Sequence, residues 1–130
     1  MDLVTVERES GLKFRIGLRD HEITTDMSVD EGGEDAGCNP VELMSAALGG
    51  CLAIMVQRYC SERGFTDGDV GVSLTAEMAD NPKRIKGFVV DVELPADVPE
   101  SERKKLKTIV RQFPVPATLR EAPDVMVEFT

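Results

Sequence analysis

A chain of 130 residues with 24 acidic and 15 basic side chains carries a net charge of −9 and is 42% apolar, enough for one soluble domain with a buried core. So acidic a surface repels phosphate backbones, which excludes nucleic acid as an expected partner; the one short basic run is Arg103, Lys104, Lys105 and Lys107. The start, Met1-Asp2-Leu3-Val4, has neither the basic nor the apolar stretch of a secretory signal, so the expected location is the cytoplasm.

The first 30 residues alternate apolar and polar, through Leu3, Val4 and Val6, then Leu12, Phe14, Ile16 and Leu18, then Ile23. Period two, punctuated at Ser10-Gly11 and Arg19-Asp20, predicts an antiparallel meander of two or three strands. Asp30 to Gly37 is charged and glycine-rich and reads as a solvent loop. Leu43 to Val56 then runs LMSAALGGCLAIMV, with Ser45 its only polar side chain. Asn39 as N-cap, Pro40 at the first helical position and Glu42 three residues after the cap predict a helix from about 40 to 63, closed by Gly64. The apolar run is shorter than the roughly 20 residues a bilayer requires, so no membrane is expected. A helix apolar all round is expected to be buried by protein on most sides. Gly49-Gly50 in its middle costs roughly 1 kcal/mol of helix propensity per glycine and points to close packing.

Val70 to Ala79 and Ile85 to Leu94 alternate again, joined by Asp80-Asn81-Pro82-Lys83, and predict a hairpin. Asp97, Pro99 and Glu100 signal a second helix to about Gln112, with Leu106, Ile109 and Val110 on one face and Arg103 to Lys107 solvated. Pro114 and Pro116 are read as breaking it, followed by a helical turn at Thr118 to Glu121 and a final strand from Val125 to Phe129. There is no repeat or low-complexity segment, so residues 1–130 are expected to form a single domain of class α+β.

Cys38, Cys51 and Cys60 match neither a zinc knuckle nor a redox CxxC, and an odd count argues for free thiols. With His21 the single histidine, no metal site is expected, and no motif calls for a cofactor. Along a helix Cys60 would lie about 13 Å from Cys51 on the opposite face, beyond the roughly 7 Å a disulfide tolerates between Cα atoms.

Gly32-Gly33, Asn39-Pro40-Val41-Glu42-Leu43 and Ala46-Ala47-Leu48-Gly49-Gly50-Cys51, with Phe113-Pro114-Val115-Pro116-Ala117-Thr118-Leu119 downstream, resemble the OsmC and organic hydroperoxide resistance (Ohr) family. The approach His21-Glu22-Ile23 to Asp26 also looks like that family, and the order of elements agrees across nearly the whole chain. The resemblance implies an intertwined homodimer in which two central helices are wrapped by sheets from both subunits. In catalytic members a peroxidatic cysteine on this helix attacks a hydroperoxide, an arginine stabilises its thiolate, a glutamate orients the arginine and a second cysteine closes a disulfide.

Cys51 matches the peroxidatic position. Val41 stands where the glutamate falls, and Glu42, one place off, is accounted for by capping. Leu12 is the nearest match to the arginine, leaving Arg8, Lys13, Arg15 and Arg19 as candidates for its role. Phe113 stands where the second cysteine opens its signature, so the internal resolving step is missing.

The sequence therefore supports an OsmC-like thiol role towards organic hydroperoxides, with Cys51 oxidised and an external thiol reducing it. A different reading keeps the fold but makes it a non-catalytic dimer that binds a small hydrophobic ligand at its interface, with Cys51 as lining. A third makes the acidic loop Asp30 to Asp35 a protein-interaction site. Plain readings stand beside these: Cys51 as a small buried hydrophobe, Cys38 and Cys60 as loop and helix-end residues, His21 as a surface imidazole, Arg15 and Arg19 as solvated, and Met44 and Met55 as core fillers.

Overall fold

Residues 2–130 are described by a computed structural model. The chain divides into two compact units, the first ending at Met44 and the second running from Ser45 to Thr130. In the first, β1 (Val4–Ser10), β2 (Lys13–Leu18) and β3 (His21–Thr25) form the expected antiparallel meander in the order β1-β2-β3. Val6 pairs with Ile16 and Ile16 with Ile23, while Glu7 pairs with Arg15. Strand alternation thus sorts the sheet into an apolar face and a charged one. Gly11 and Arg19 turn the two hairpins with left-handed backbones.

The loop after β3 is more ordered than a plain solvent loop. Asp26 is buried, and its carboxylate accepts the N–H groups of Met27 at 2.8 Å and of Glu34 and Ala36 at 3.1 Å. A short 3₁₀ helix, Val29–Glu31, lies inside this clasp. The Thr25 hydroxyl closes the far side by donating to the Cys38 carbonyl at 2.7 Å. Burial alone would raise the Asp26 pKa, but the N–H groups of Ala36, Met27 and Glu34, with Lys13 nearby, outweigh it and hold the carboxyl below its ordinary value. A depressed carboxylate stabilises the fold fully above its unfolded pKa, and that contribution is lost as pH falls through the folded value. Asp26→Asn is therefore expected to lower the Tm at pH 7 and to blunt the further loss of stability below about pH 4. Thermal melts across pH check this; parallel curves for variant and parent would refute it.

The helix α1 (Pro40–Glu62) starts where the capping signals place it. The Asn39 N–H donates to Glu42 Oε1 at 2.9 Å and the Glu42 N–H donates to Asn39 Oδ1 at 2.8 Å, a reciprocal capping box. It ends as expected at left-handed Gly64, whose N–H meets the Ser61 carbonyl while the Phe65 N–H meets that of Cys60. At 23 residues, with mean hydropathy 1.4 over its apolar window, α1 passes a test of length and composition for crossing a bilayer. The 14-residue run alone had suggested otherwise, because the helix recruits flanking residues at both ends. Within the chain only one stripe of it, Leu48, Leu52, Val56 and Cys60, is buried.

In the second unit, β4 (Gly71–Ala79) and β5 (Arg84–Glu93) form the predicted antiparallel hairpin. Leu48, Leu52, Val56 and Cys60 form one buried stripe at helical spacing, joined in the core by Val98, Leu106 and Phe113. Half-buried Val72, Phe88, Val90 and Val92 of the hairpin pack against it. Gly49 allows this approach, since a Cβ there would lie 2.8 Å from a Leu74 methyl. Burial on most sides of α1 is not what the chain provides: Ala46, Ala47 and Gly50 are exposed, and Ile54 is 63% exposed.

The second helix, α2 (Glu100–Ile109), continues as a 3₁₀ turn to Gln112. Asp97 does not cap it, because its carboxylate instead accepts the N–H groups of Thr66 and Asp67 at 3.1 and 3.2 Å. That ties the segment after α1 to the segment before α2. Pro114 and Pro116 do not break a helix but open one, α3 (Pro114–Arg120), where the missing proline N–H costs nothing. The expected C-terminal strand does not form within the chain. A strand needs a neighbouring edge to complete its hydrogen bonds, and Val125, Met126, Val127 and Phe129 are instead between 67% and 95% exposed.

Candidate functional site

Cys51 sits near the middle of α1, half-buried, on the margin between the buried stripe and the exposed face. Leu48 and Leu52 flank it on the core side. On the outer side Gly50 is exposed, and a Cβ there would meet no other element within 4 Å. Cys51 thus combines a fixed position on a packed helix with partial exposure of its side chain.

Phe113 is buried in the core of the same unit and heads α3, accepting the Ala117 N–H at 2.8 Å. An apolar ring therefore occupies the position that the resemblance gives to a resolving thiol. Cys60, at the other end of α1, is fully buried. Burial, with the Asp97 charge added, raises its pKa against the opposing effect of Arg63, which keeps the thiol protonated and unreactive. Cys38 is exposed in the clasped loop.

The candidate basic residues all lie in the first unit. Arg15 stands on the charged face of the meander, where its guanidinium meets Glu7 at 3.2 Å and Glu22 at 3.4 Å. Arg19 is an exposed turn residue with φ of 52°. Arg8 donates to the Gly11 carbonyl at 2.9 Å, and Lys13 pairs with Glu9 at 3.9 Å. Glu42 serves the capping box, and nine helical positions separate it from Cys51, which puts the two on opposite sides of α1. His21 is exposed at the start of β3. Among the described residues, no three His, Cys, Asp or Glu side chains are grouped as a metal would require.

A cluster that the sequence did not reveal joins α1 to α2. The Tyr59 hydroxyl donates to Glu102, which also meets Arg63 at 3.6 Å and Lys105 at 3.4 Å. Arg63 lies over the Tyr59 ring, 3.4 Å from its centroid. The Tyr59 hydrogen bond, aided by Lys105 and Arg63, lowers the Glu102 pKa against the effect of burial. The spacing of Tyr59 and Arg63, four apart across the end of α1, was a readable signal for their contact; the partner 43 residues away was not.

The model of the family described as OsmC-like protein matches residues 31–128, three quarters of the chain and both signature segments. The chain belongs to the OsmC-like protein family. No curated protein matches it. Among solved structures, it is similar to a candidate osmotic stress induced and detoxification response protein of Psychrobacter arcticus 273-4, with TM-score 0.81 and 18% identity over 91% of this chain and 88% of that one. An OsmC-like protein of Mycoplasma pneumoniae gives TM-score 0.79 and 16% identity, covering 94% and 89%. The organic hydroperoxide resistance protein OsmC of Legionella pneumophila gives 0.62 and 18%, covering 92% and 90%. At these identities the likeness is one of fold, and it agrees with the expected α+β OsmC-like architecture.

Proposed function

We propose that this OsmC-like protein is a one-cysteine thiol peroxidase that reduces organic hydroperoxides through Cys51. The observation that carries the reading is the half-buried Cys51 beside exposed Gly50 on α1. Support also comes from a solved relative by fold that is described as an organic hydroperoxide resistance protein. The thiolate attacks the terminal peroxide oxygen, the O–O bond breaks, and the products are a sulfenic acid at Cys51 and an alkoxide that leaves as the alcohol after protonation. An external thiol then condenses with the sulfenic acid, releasing water and forming a mixed disulfide. A second external thiol regenerates Cys51 and leaves as a disulfide. Phe113 is the reason the reductant is external, because it removes the internal partner.

The protein works in this reading as a cytoplasmic homodimer, consistent with its free cysteines. Each unit leaves apolar side chains uncovered, Ile54 on α1 in the second and Val4 and Val6 on the meander in the first, which supports a second copy as cover. Buried Phe113 also favours a second reading, a non-catalytic dimer that holds a small hydrophobic ligand.

Intact mass after stoichiometric organic hydroperoxide, with a sulfenic-acid trap present, separates the two. Rapid addition of one trap to the parent, absent from Cys51→Ser, is the expected result. No adduct within minutes on the folded parent would overturn the peroxidase reading.

A further inference from the structure

The segment 103–120 breaks the acidic pattern of the chain, holding six of its 15 basic residues. Two of them, Arg111 and Arg120, line a cavity of about 400 Å³ in the second unit. Its walls are otherwise apolar: Leu48 and Leu52 on α1, Phe88 and Val90 on β5, and Leu119 on α3 among them. No carboxylate lines it; Glu121 lies with both arginines in an adjoining cavity of about 470 Å³, yet neither arginine has an ion-pair partner among the described residues. An adjoining cavity of about 460 Å³ shares Val90, Val92 and Val110, so the apolar floor continues along β5. There the charges are mixed, with Asp91 and Glu100 beside Arg103 and Lys107.

Apolar walls favour a hydrocarbon body, and the volume falls within the range of small-molecule sites. Two unpaired guanidinium groups select an oxyanion, because arginine presents paired donors that match a carboxylate. A cationic head would meet repulsion at the same place. We propose that this cavity binds an amphiphile with a single anionic head, of the straight-chain carboxylate type. The hydrocarbon lies along β5, and the head sits at Arg111 and Arg120. The site needs no reaction at Cys51 and stands apart from the peroxidase reading.

Calorimetric titration of decanoate into the full chain carrying Cys51→Ser tests the proposal, with 1-decanol and decyltrimethylammonium as uncharged and cationic counterparts. Decanoate is expected to bind most tightly, with affinity falling as salt rises. Arg111→Gln with Arg120→Gln is expected to weaken decanoate about tenfold or more, as loss of charge-assisted hydrogen bonds implies, and to leave decanol unchanged. The single substitutions, each at an exposed side chain, are expected to give intermediate losses. Equal binding of decanoate and decanol, or an unchanged decanoate affinity in the double variant, would overturn the proposal. So would no binding at all, the result expected if the C-terminal residues or a second copy fill the cavity. Because the titration is read without peroxide, its failure is distinct from a failure to trap oxidised Cys51.

Discussion

Phe113→Ala is expected to lower stability by about 3–5 kcal/mol, the range for removing a buried aromatic ring. The ring is only 9% exposed and belongs to the core with Leu48, Leu52 and Leu106. It packs where α2 gives way to α3, and its backbone accepts the first hydrogen bond of α3. Truncation therefore opens a void and loosens the junction between two helices. Phe113→Leu, which retains most of the apolar volume, is expected to cost less than Phe113→Ala. Denaturant unfolding of the two variants gives the comparison, and a cost below about 1 kcal/mol for the alanine would show that the ring is not part of the core.

Gly37→Ala is expected to destabilise the first unit by about 3 kcal/mol, at the upper end of overpacking. A Cβ at this position would lie 2.2 Å from the Thr24 carbonyl oxygen, and that oxygen is backbone rather than the end of a flexible side chain. The neighbours on both sides are fixed, because Thr25 bridges to Cys38 and its hydroxyl holds the Cys38 carbonyl. The strain has no easy outlet, so the loop must leave β3. Faster proteolysis within residues 27–37, together with a lower unfolding midpoint, is the expected readout. Unchanged values for both would place the loop farther from β3 than described.

Most of the secondary structure was legible because its signals are local. Asn39, Pro40 and Glu42 identify the start of α1 from four consecutive positions, and Gly64 marks its end from one. The two hairpins follow from alternation and turn residues that are close in sequence. Misreadings arose where a residue's partner is remote. Asp97 has the chemistry of an N-cap but spends its carboxylate on Thr66 and Asp67, some 30 residues back. Val125 to Phe129 alternates like a strand, yet alternation shows only what a segment can pair with. Pro114 was ambiguous in kind, since proline ends one helix and begins the next by the same missing N–H. At the candidate site Cys51 was legible through its family motif, whereas Asp26 was not. Its importance comes from three backbone N–H groups that converge only after the loop has closed.

The three cysteines form a graded series, from exposed Cys38 through half-buried Cys51 to Cys60 with no exposed surface. In contact with a thiol reagent, such a series behaves as a clock with three hands. Cys38 reports the surface, and Cys51 reports access along the flank of α1. Cys60 can be labelled only when the end of that helix opens, so its rate follows the breathing of the core. One chain without added probes therefore carries separate records of surface chemistry, site access and unfolding, which mass spectrometry can read from a single sample.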